Sequence, residues 1–274
     1  MKRIGFIGFG NMGSALALGI VRSGLVSNSN IFAYDKDISK LDKAKLEGLN
    51  VCNDSLDILN NADYIILAVK PKDLVDSLKP FKNFKDIKLL KEKVIVSILA
   101  GTSVKMISDA LGFDIPIVRV MPNTPALIGE GAFGIFFNSL VSEEDKSFIK
   151  KIFDSLGKSI VVDKEDIMDV ITGLSGSGPA YIFVVIQALA DGGVRMGLDR
   201  ESALVLASQT VLGSAKMVLE NIGKFHPEQL KDMVMSPAGT TAEGLVSLEE
   251  NKVRYAFIKA VELATKRSRD LSKL

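Results

Sequence analysis

The chain has 274 residues, 47% of them hydrophobic, with 34 Lys+Arg against 33 Asp+Glu. Such a balance argues against a mainly electrostatic partner, because nucleic acid or an anionic membrane surface favours a basic excess. One His (His226), one Cys (Cys52) and no Trp exclude an intrachain disulfide, argue against a His/Cys metal site, and leave any nucleophile–His relay a single possible base. The length supports two domains, and any difficult chemistry falls to a bound cofactor.

Met1-Lys2-Arg3 precedes only a short apolar run, without the pattern of a secretory signal. No uninterrupted apolar run approaches the roughly 18 residues of a membrane span. The richest stretch, Tyr181 to Val194, is broken by Gln187 and Asp191. These features predict a cytoplasmic protein with no membrane and no nucleic-acid partner.

In chain order, Arg3 to Gly8 reads as a buried strand and Asn11 to Ser23 as a helix. Ile31 to Tyr34 is a second strand and Ser39 to Glu47 a charged amphipathic helix. Tyr64 to Val69 and Val94 to Leu99 are apolar strands, and a helix begins at Ser103. Ile115 to Val120 makes another strand. Gly131 to Phe137 and Ser159 to Val162 flank a helix from Glu143 to Leu156. Apolar strands without alternation, separated by helices, predict a parallel sheet covered on both faces, the doubly wound Rossmann-type α/β class.

The character changes near Asp163, which divides the chain into a dinucleotide-binding domain, 1–163, and an all-α domain, 164–274. Helices are predicted over Glu165 to Leu174, Pro179 to Met196, Arg200 to Asn221, Pro227 to Met235, Thr240 to Leu248 and Lys252 to Leu271. The second and third of these are apolar or small on most faces, so they must be buried on most faces. A small domain cannot do that alone. The preferred reading is burial against another copy of the chain; the alternative is burial under the first domain.

Gly8-Phe9-Gly10-Asn11-Met12-Gly13 follows a predicted strand and opens a predicted helix, the context in which G-x-G-x-x-G holds a dinucleotide. Gly8 permits the tight turn, Gly10 lets backbone approach a pyrophosphate, and Gly13 lets the helix pack on the strand. The helix N-terminus supplies N–H donors. Asp35 ends the second strand, where an acid accepts hydrogen bonds from the adenosine ribose and repels a 2′-phosphate. Taken alone it tilts the cofactor toward NADH over NADPH, with Lys36 beside it as partial compensation. Val69-Lys70-Pro71 and Leu99-Ala100-Gly101 end later strands and are further candidates to line the cofactor.

Three more segments are rich in small, polar and turn-forming residues: Met121 to Pro125, Gly173 to Pro179 and Ser236 to Thr241. The last precedes a predicted helix whose N–H groups can hold a carboxylate. With I-G-F-I-G-F-G-N-M-G at the start, A-V-K-P at 68–71, M-P-N-T-P-A at 121–126, G-L-S-G-S-G-P-A-Y at 173–181, G-S-A-K-M-V at 213–218 and L-K-D-M-V-M-S-P-A-G-T-T at 230–241, the chain resembles the pyrroline-5-carboxylate reductase family over essentially its whole length.

The resemblance implies reduction of 1-pyrroline-5-carboxylate to proline by NADPH or NADH, and a helical domain that forms a homodimer or a larger homo-oligomer. It implies that Ile7, Gly8, Phe9, Gly10, Asn11, Met12, Gly13, Ala68, Val69, Lys70 and Pro71 contact the dinucleotide. Asn123, Ala100 and Gly101 would lie near the nicotinamide. Ala238, Gly239, Thr240 and Thr241 would hold the substrate carboxylate, with Thr241 near the ring nitrogen as the catalytic residue. Glu165 and Ser177 are weaker substrate-binding assignments. Tyr34-Asp35-Lys36-Asp37 departs from members that favour NADP.

Two rivals are weighed against this. A β-hydroxyacid dehydrogenase would carry a Lys and an Asn four residues apart on one helix face. Here Lys216 and Asn221 are five apart, roughly 140° around a helix. A non-enzymatic dinucleotide-binding protein would have a degraded substrate loop, whereas 236–241 looks intact.

Overall fold

The computed structural model describes residues 2–272. Eight strands form one sheet: β1 (Ile4–Ile7), β2 (Ile31–Tyr34), β3 (Asn50–Val51), β4 (Tyr64–Leu67), β5 (Val94–Ser97), β6 (Ile117–Met121), β7 (Gly131–Phe137) and β8 (Gly157–Val161). Their order is β3-β2-β1-β4-β5-β6-β7-β8. All neighbours are parallel except β6 and β7, which are antiparallel. The first six strands follow the 3-2-1-4-5-6 order of a doubly wound dinucleotide fold, with the switch point between β1 and β4.

Strands β1, β4 and β5 are buried along their full length, because helices cover both faces of the sheet. On one face Phe6, Tyr64, Ile66, Val94 and Val96 pack with Leu16, Ile20, Ile152 and Phe153 of helices α1 (Asn11–Arg22) and α7 (Glu143–Asp154). On the other, Ile7, Ile65, Leu67, Ile95 and Ile117 pack with residues of α3 (Ser55–Asn61), α4 (Leu74–Lys82) and α6 (Val104–Leu111). Cys52 is part of this second core, and burial pushes its thiol up to about 11, in keeping with an inert space-filler.

The elements expected from sequence are present, within a few residues at their ends. Helix α2 (Leu41–Leu46) lies within the stretch read as a charged helix. Between residues 50 and 91 the structure adds α3, α4 and α5 (Ile87–Lys91) around the expected Tyr64–Val69 strand, and β3 is the short strand that Cys52 follows. Helix α3 is capped by Asp54, whose side chain accepts from Asp57 N–H. Helix α4 buries Leu74, Leu78 and Phe81 on one face while Lys79 and Lys82 sit in its last turn.

Beyond the sheet come α8 (Ile167–Ile171), a π-helical turn (Thr172–Gly176), α9 (Gly178–Arg195), α10 (Arg200–Glu220), α11 (Pro227–Val234), α12 (Thr240–Glu250) and α13 (Val253–Leu271). His226 caps α11: its Nδ1 accepts from Glu228 N–H at 3.3 Å. The chain forms two compact units. One unit joins the chain up to Ser177 with the segment from Glu262 onward; the other is Gly178–Val261. Helix α8 belongs with the sheet because Ile171 fills the space left by Gly134 of β7, where an added Cβ would meet Ile171 Cδ1 at 2.4 Å.

In the second unit, α9 and α10 pack through Ala190, Ala203 and Ala207. Their larger apolar residues face outward: Phe183 is 63% exposed, Val184 69%, Val205 61% and Leu206 57%. The helical stretches Ile167–Arg195 and Arg200–Glu220 are long and apolar enough, by length and composition, to cross a membrane. Asp191 interrupts the first, accepting a hydrogen bond from Gln187 and pairing with Arg200.

Candidate active site

The turn from β1 into α1 has three glycines in three different situations. Gly8 adopts φ +98°, and an added Cβ would come within 2.6 Å of the Ala68 backbone. A Cβ on Gly13 would lie 2.3 Å from the Gly8 carbonyl oxygen. Both positions are closed by the protein itself. At Gly10, the N-cap of α1, an added Cβ meets nothing within 4 Å. No side chain caps this helix, which leaves its first-turn N–H groups available to an anion. A cradle tight on the protein side and open on the other fits a dinucleotide pyrophosphate. Asn11 and Met12 are the first two residues of α1. Phe9 turns its ring into the core, edge-on to Phe6 at 6.4 Å.

The C-terminal ends of β1, β2 and β4 wall a cleft of about 420 Å³ that includes Ile7, Gly8, Gly10, Asp35, Ala68, Val69 and Lys70. Pro71 begins the turn that follows. Asp35 is buried, and its carboxylate is already engaged. Its Oδ2 accepts from Phe9 N–H at 2.7 Å; its Oδ1 accepts from Asp37 N–H at 2.9 Å and from Lys40 Nζ at 3.4 Å. The acid therefore clamps the glycine turn to the end of β2, in addition to any contact with a ribose. Lys36 pairs with Asp73 at 3.1 Å across the same cleft. This bridge holds the Asp73 carboxyl below its ordinary range.

Across the switch point lie the ends of β5 and β6. In this strand order a dinucleotide that sets its pyrophosphate on α1 and its adenosine toward β2 extends its nicotinamide toward these ends. Gly101, at φ +65°, lies in the turn after β5 with Ala100, and a Cβ there would approach Leu271 Cβ at 3.2 Å. Asn123, after β6, is buried with its amide satisfied: Oδ1 accepts from Ala132 N–H at 2.9 Å and Nδ2 donates to Ser175 O at 3.1 Å. Glu165 Oε1 accepts from Val104 N–H at 2.7 Å and from Arg119 Nη1 at 2.8 Å. Ser177 closes the π-helical turn, donating its N–H to Thr172 O at 2.9 Å.

The remaining expected residues belong to the helical unit. Ala238 has φ +55°, a strained value for a residue with a Cβ. Gly239 is the N-cap of α12 and has no room for a side chain, since a Cβ would sit 2.3 Å from Ser236 Oγ. Thr240 and Thr241 are the first two helical residues, and no side chain caps this N-terminus. Thr241 is half-buried. The first-turn N–H of Ala242 donates to Gly239 O at 3.1 Å, and the N–H groups of Thr240 and Thr241 before it have no side-chain cap, the kind of helix start that can take an anion.

Sequence reading did not single out Lys40, Arg119 or Ser268. Arg119 left a signal: one charge within Ile117–Met121, otherwise a buried apolar strand, demands a partner. Ser268 of α13 donates to Asp169 Oδ1 at 2.6 Å, and nothing local to either residue announces it. Among the described residues, no group of three or more His, Cys, Asp or Glu is placed to hold a metal ion.

A Rossmann-ordered sheet with an open glycine cradle between its first strand and first helix defines a dinucleotide-binding protein. Comparison with known proteins narrows this. Residues 165–271 match the model "Pyrroline-5-carboxylate reductase dimerisation", and residues 3–101 match "NADP oxidoreductase coenzyme F420-dependent". A pyrroline-5-carboxylate reductase of Methanosarcina acetivorans is 47% identical over 99% of this chain and 98% of its own length. The solved structure of Coxiella burnetii pyrroline-5-carboxylate reductase superposes with TM-score 0.91 at 36% identity, covering 100% of this chain and 99% of that one. That of the Plasmodium falciparum pyrroline carboxylate reductase with NADP bound gives TM-score 0.84 at 37% identity, covering 99% and 98%. The chain belongs to the pyrroline-5-carboxylate reductase family, and is thus an NAD(P)H-dependent oxidoreductase acting on a cyclic imine.

Proposed function

We propose that the chain reduces 1-pyrroline-5-carboxylate to L-proline in the cytoplasm, working as a homodimer or a larger homo-oligomer. Residues 1–163 bind the dinucleotide and 164–274 supply substrate contacts and the dimer interface. The uncapped N-terminus of α12 behind Ala238 and Gly239 carries this reading, because it offers a carboxylate directional N–H donors without a competing side chain.

The bound reduced nicotinamide supplies the hydride, which goes to the C=N carbon. The Gly8–Gly13 turn and the 68–71 segment hold the dinucleotide, while Ala100, Gly101 and Asn123 border its nicotinamide end. Ala238, Gly239 and Thr240 fix the substrate carboxylate. Thr241 hydrogen-bonds the ring nitrogen, positions the imine and relays a proton. A protonated cyclic imine already carries the charge that receives hydride, so orientation supplies much of the catalysis. That chemistry asks for no oxyanion acid, in keeping with a sequence that holds one His and one Cys. The cofactor is NADPH or NADH. Asp35 opposes a 2′-phosphate, Lys36 and Lys40 offset that charge, and the two cofactors must be compared directly.

The test is consumption of reduced nicotinamide with pyrroline-5-carboxylate, using NADH and NADPH in parallel, on wild type and Thr241→Val. The expected outcome is a fall in kcat/KM of about tenfold or more, the scale of one lost catalytic hydrogen bond, with cofactor affinity unchanged. Full turnover by the variant removes Thr241 from the mechanism. No turnover by wild type with either cofactor removes the function.

A further inference from the structure

One oxygen of the Glu165 carboxylate is already engaged within the protein, and its contacts describe a task other than binding substrate. Glu165 lies two residues before α8, and one oxygen accepts two hydrogen bonds from parts of the chain distant in sequence. One donor is Val104 N–H, in the first turn of α6. The other is the guanidinium of Arg119, whose side chain is only 9% exposed. Helix α6 starts three residues after Gly101: Ser103 is its N-cap, and Ser103 Oγ accepts from Met106 N–H at 3.2 Å. Val104 N–H is therefore a first-turn donor for which the helix itself has no acceptor, and a carboxylate there is favoured by the helix dipole.

The same turn is gripped from its other side. Leu271, at the end of α13, lies against Gly101. Ser268, one turn earlier, is bonded to Asp169, which stands four residues after Glu165 on the α8 segment. The Ala100–Thr102 turn is thus held at its exit by Glu165 and over its apex by α13. Arg119 ties the whole to β6, the strand beside β5.

We propose that Glu165 is a positioning residue for the nicotinamide end of the cofactor site: by holding Val104 N–H against the Arg119 anchor, it fixes the 100–102 turn in the shape that receives the ring. The inference rests on the cofactor placement proposed above. It replaces the expectation that Glu165 touches substrate. The adenosine and pyrophosphate contacts lie on the far side of the switch point and are untouched by it.

Calorimetric titration of wild type, Glu165→Ala and Glu165→Gln with the reduced dinucleotide, and with ADP-ribose or its 2′-phosphate, separates the possibilities. Glu165→Ala should weaken the dinucleotide about tenfold, the worth of one charge-assisted hydrogen bond, and the nicotinamide-free fragment by less than about twofold. Glu165→Gln, whose amide oxygen still accepts from Val104 N–H, should recover most of the loss. In turnover, kcat should fall while KM for pyrroline-5-carboxylate holds. If Glu165→Ala does not fold, Glu165→Asp carries the same expectation, since it keeps the charge but is one methylene too short to reach both donors. Unchanged dinucleotide affinity with a raised KM for pyrroline-5-carboxylate would overturn the proposal in favour of a substrate ligand. Equal weakening of dinucleotide and fragment would overturn it in favour of a general scaffold role. A wild-type protein that binds neither ligand overturns the cofactor reading instead.

Discussion

The two compact units solve the problem of burial differently. The nucleotide unit buries its own large side chains: Phe6, Tyr64, Phe81 and Phe153 are each 1% exposed or less. The helical unit buries mainly alanines, and leaves Phe183, Val184, Val205 and Leu206 on the surface. Burial contributes about 25 cal/mol per Å² of apolar area, so the first unit holds its stabilisation within itself. The second withholds most of its apolar area from its own core. That area lies within the matched dimerisation region, and we propose that a second copy of the chain covers it.

The sharpest way to break this contrast is to charge the exposed face. Val184→Glu combined with Val205→Glu should convert the oligomer to the 29.6 kDa monomer or to aggregate, with activity near background. Light scattering on the eluting peak reads the result, and a wild-type oligomer with wild-type turnover would show that this face is not the interface. Next come the glycines of the nucleotide unit, which separate folding from binding. Gly8→Ala forces a Cβ into backbone at a left-handed φ and should cost about 2–4 kcal/mol in denaturant unfolding. Gly10→Ala should leave stability unchanged and weaken the dinucleotide about tenfold or more, because its Cβ occupies the face the pyrophosphate approaches. Equal loss of stability in both would erase the distinction.

Asp35→Ala sharpens a smaller question. A carboxylate that braces the glycine turn through Phe9 N–H predicts weaker binding of NADH and NADPH together, each by about fivefold. A selective gain for NADPH would instead make Asp35 a selector alone. The smallest effect belongs to the exposed charges of the helical unit. Hydrogen bonds from Lys231 and Arg254 hold the Glu228 carboxyl down to about 2, against an ordinary 4.5. Its stabilisation is present above pH 4.5 and is lost as pH falls toward 2. The difference in Tm between wild type and Glu228→Gln should therefore be largest near neutrality, vanish in acid, and shrink with salt.

Much of this was legible in the residues, and the exceptions have physical causes. Wholly apolar strands such as Tyr64–Leu67 announce themselves because both their faces are buried. The two-residue β3 and five-residue α5 are too short to show a period. Helix α4 did carry a pattern, in Leu74, Leu78 and Phe81, but it is masked by lysines and by Pro80. At the site, the glycine turn is local and readable. The brace on Asp35 comes from Phe9, twenty-six residues away, and the donors to Glu165 are sixty-one and forty-six residues away. Only the folded sheet brings such partners together.

The segment from Glu262 onward packs with the nucleotide unit although Gly178–Val261 intervenes. On a ribosome adding roughly 5–20 residues per second, the sheet can assemble early, yet its outer contacts at Gly101 and Asp169 wait for Leu271 and Ser268. The nucleotide unit is thus finished last as well as begun first. Synthesis of the helical unit is a precondition for completing the unit that precedes it.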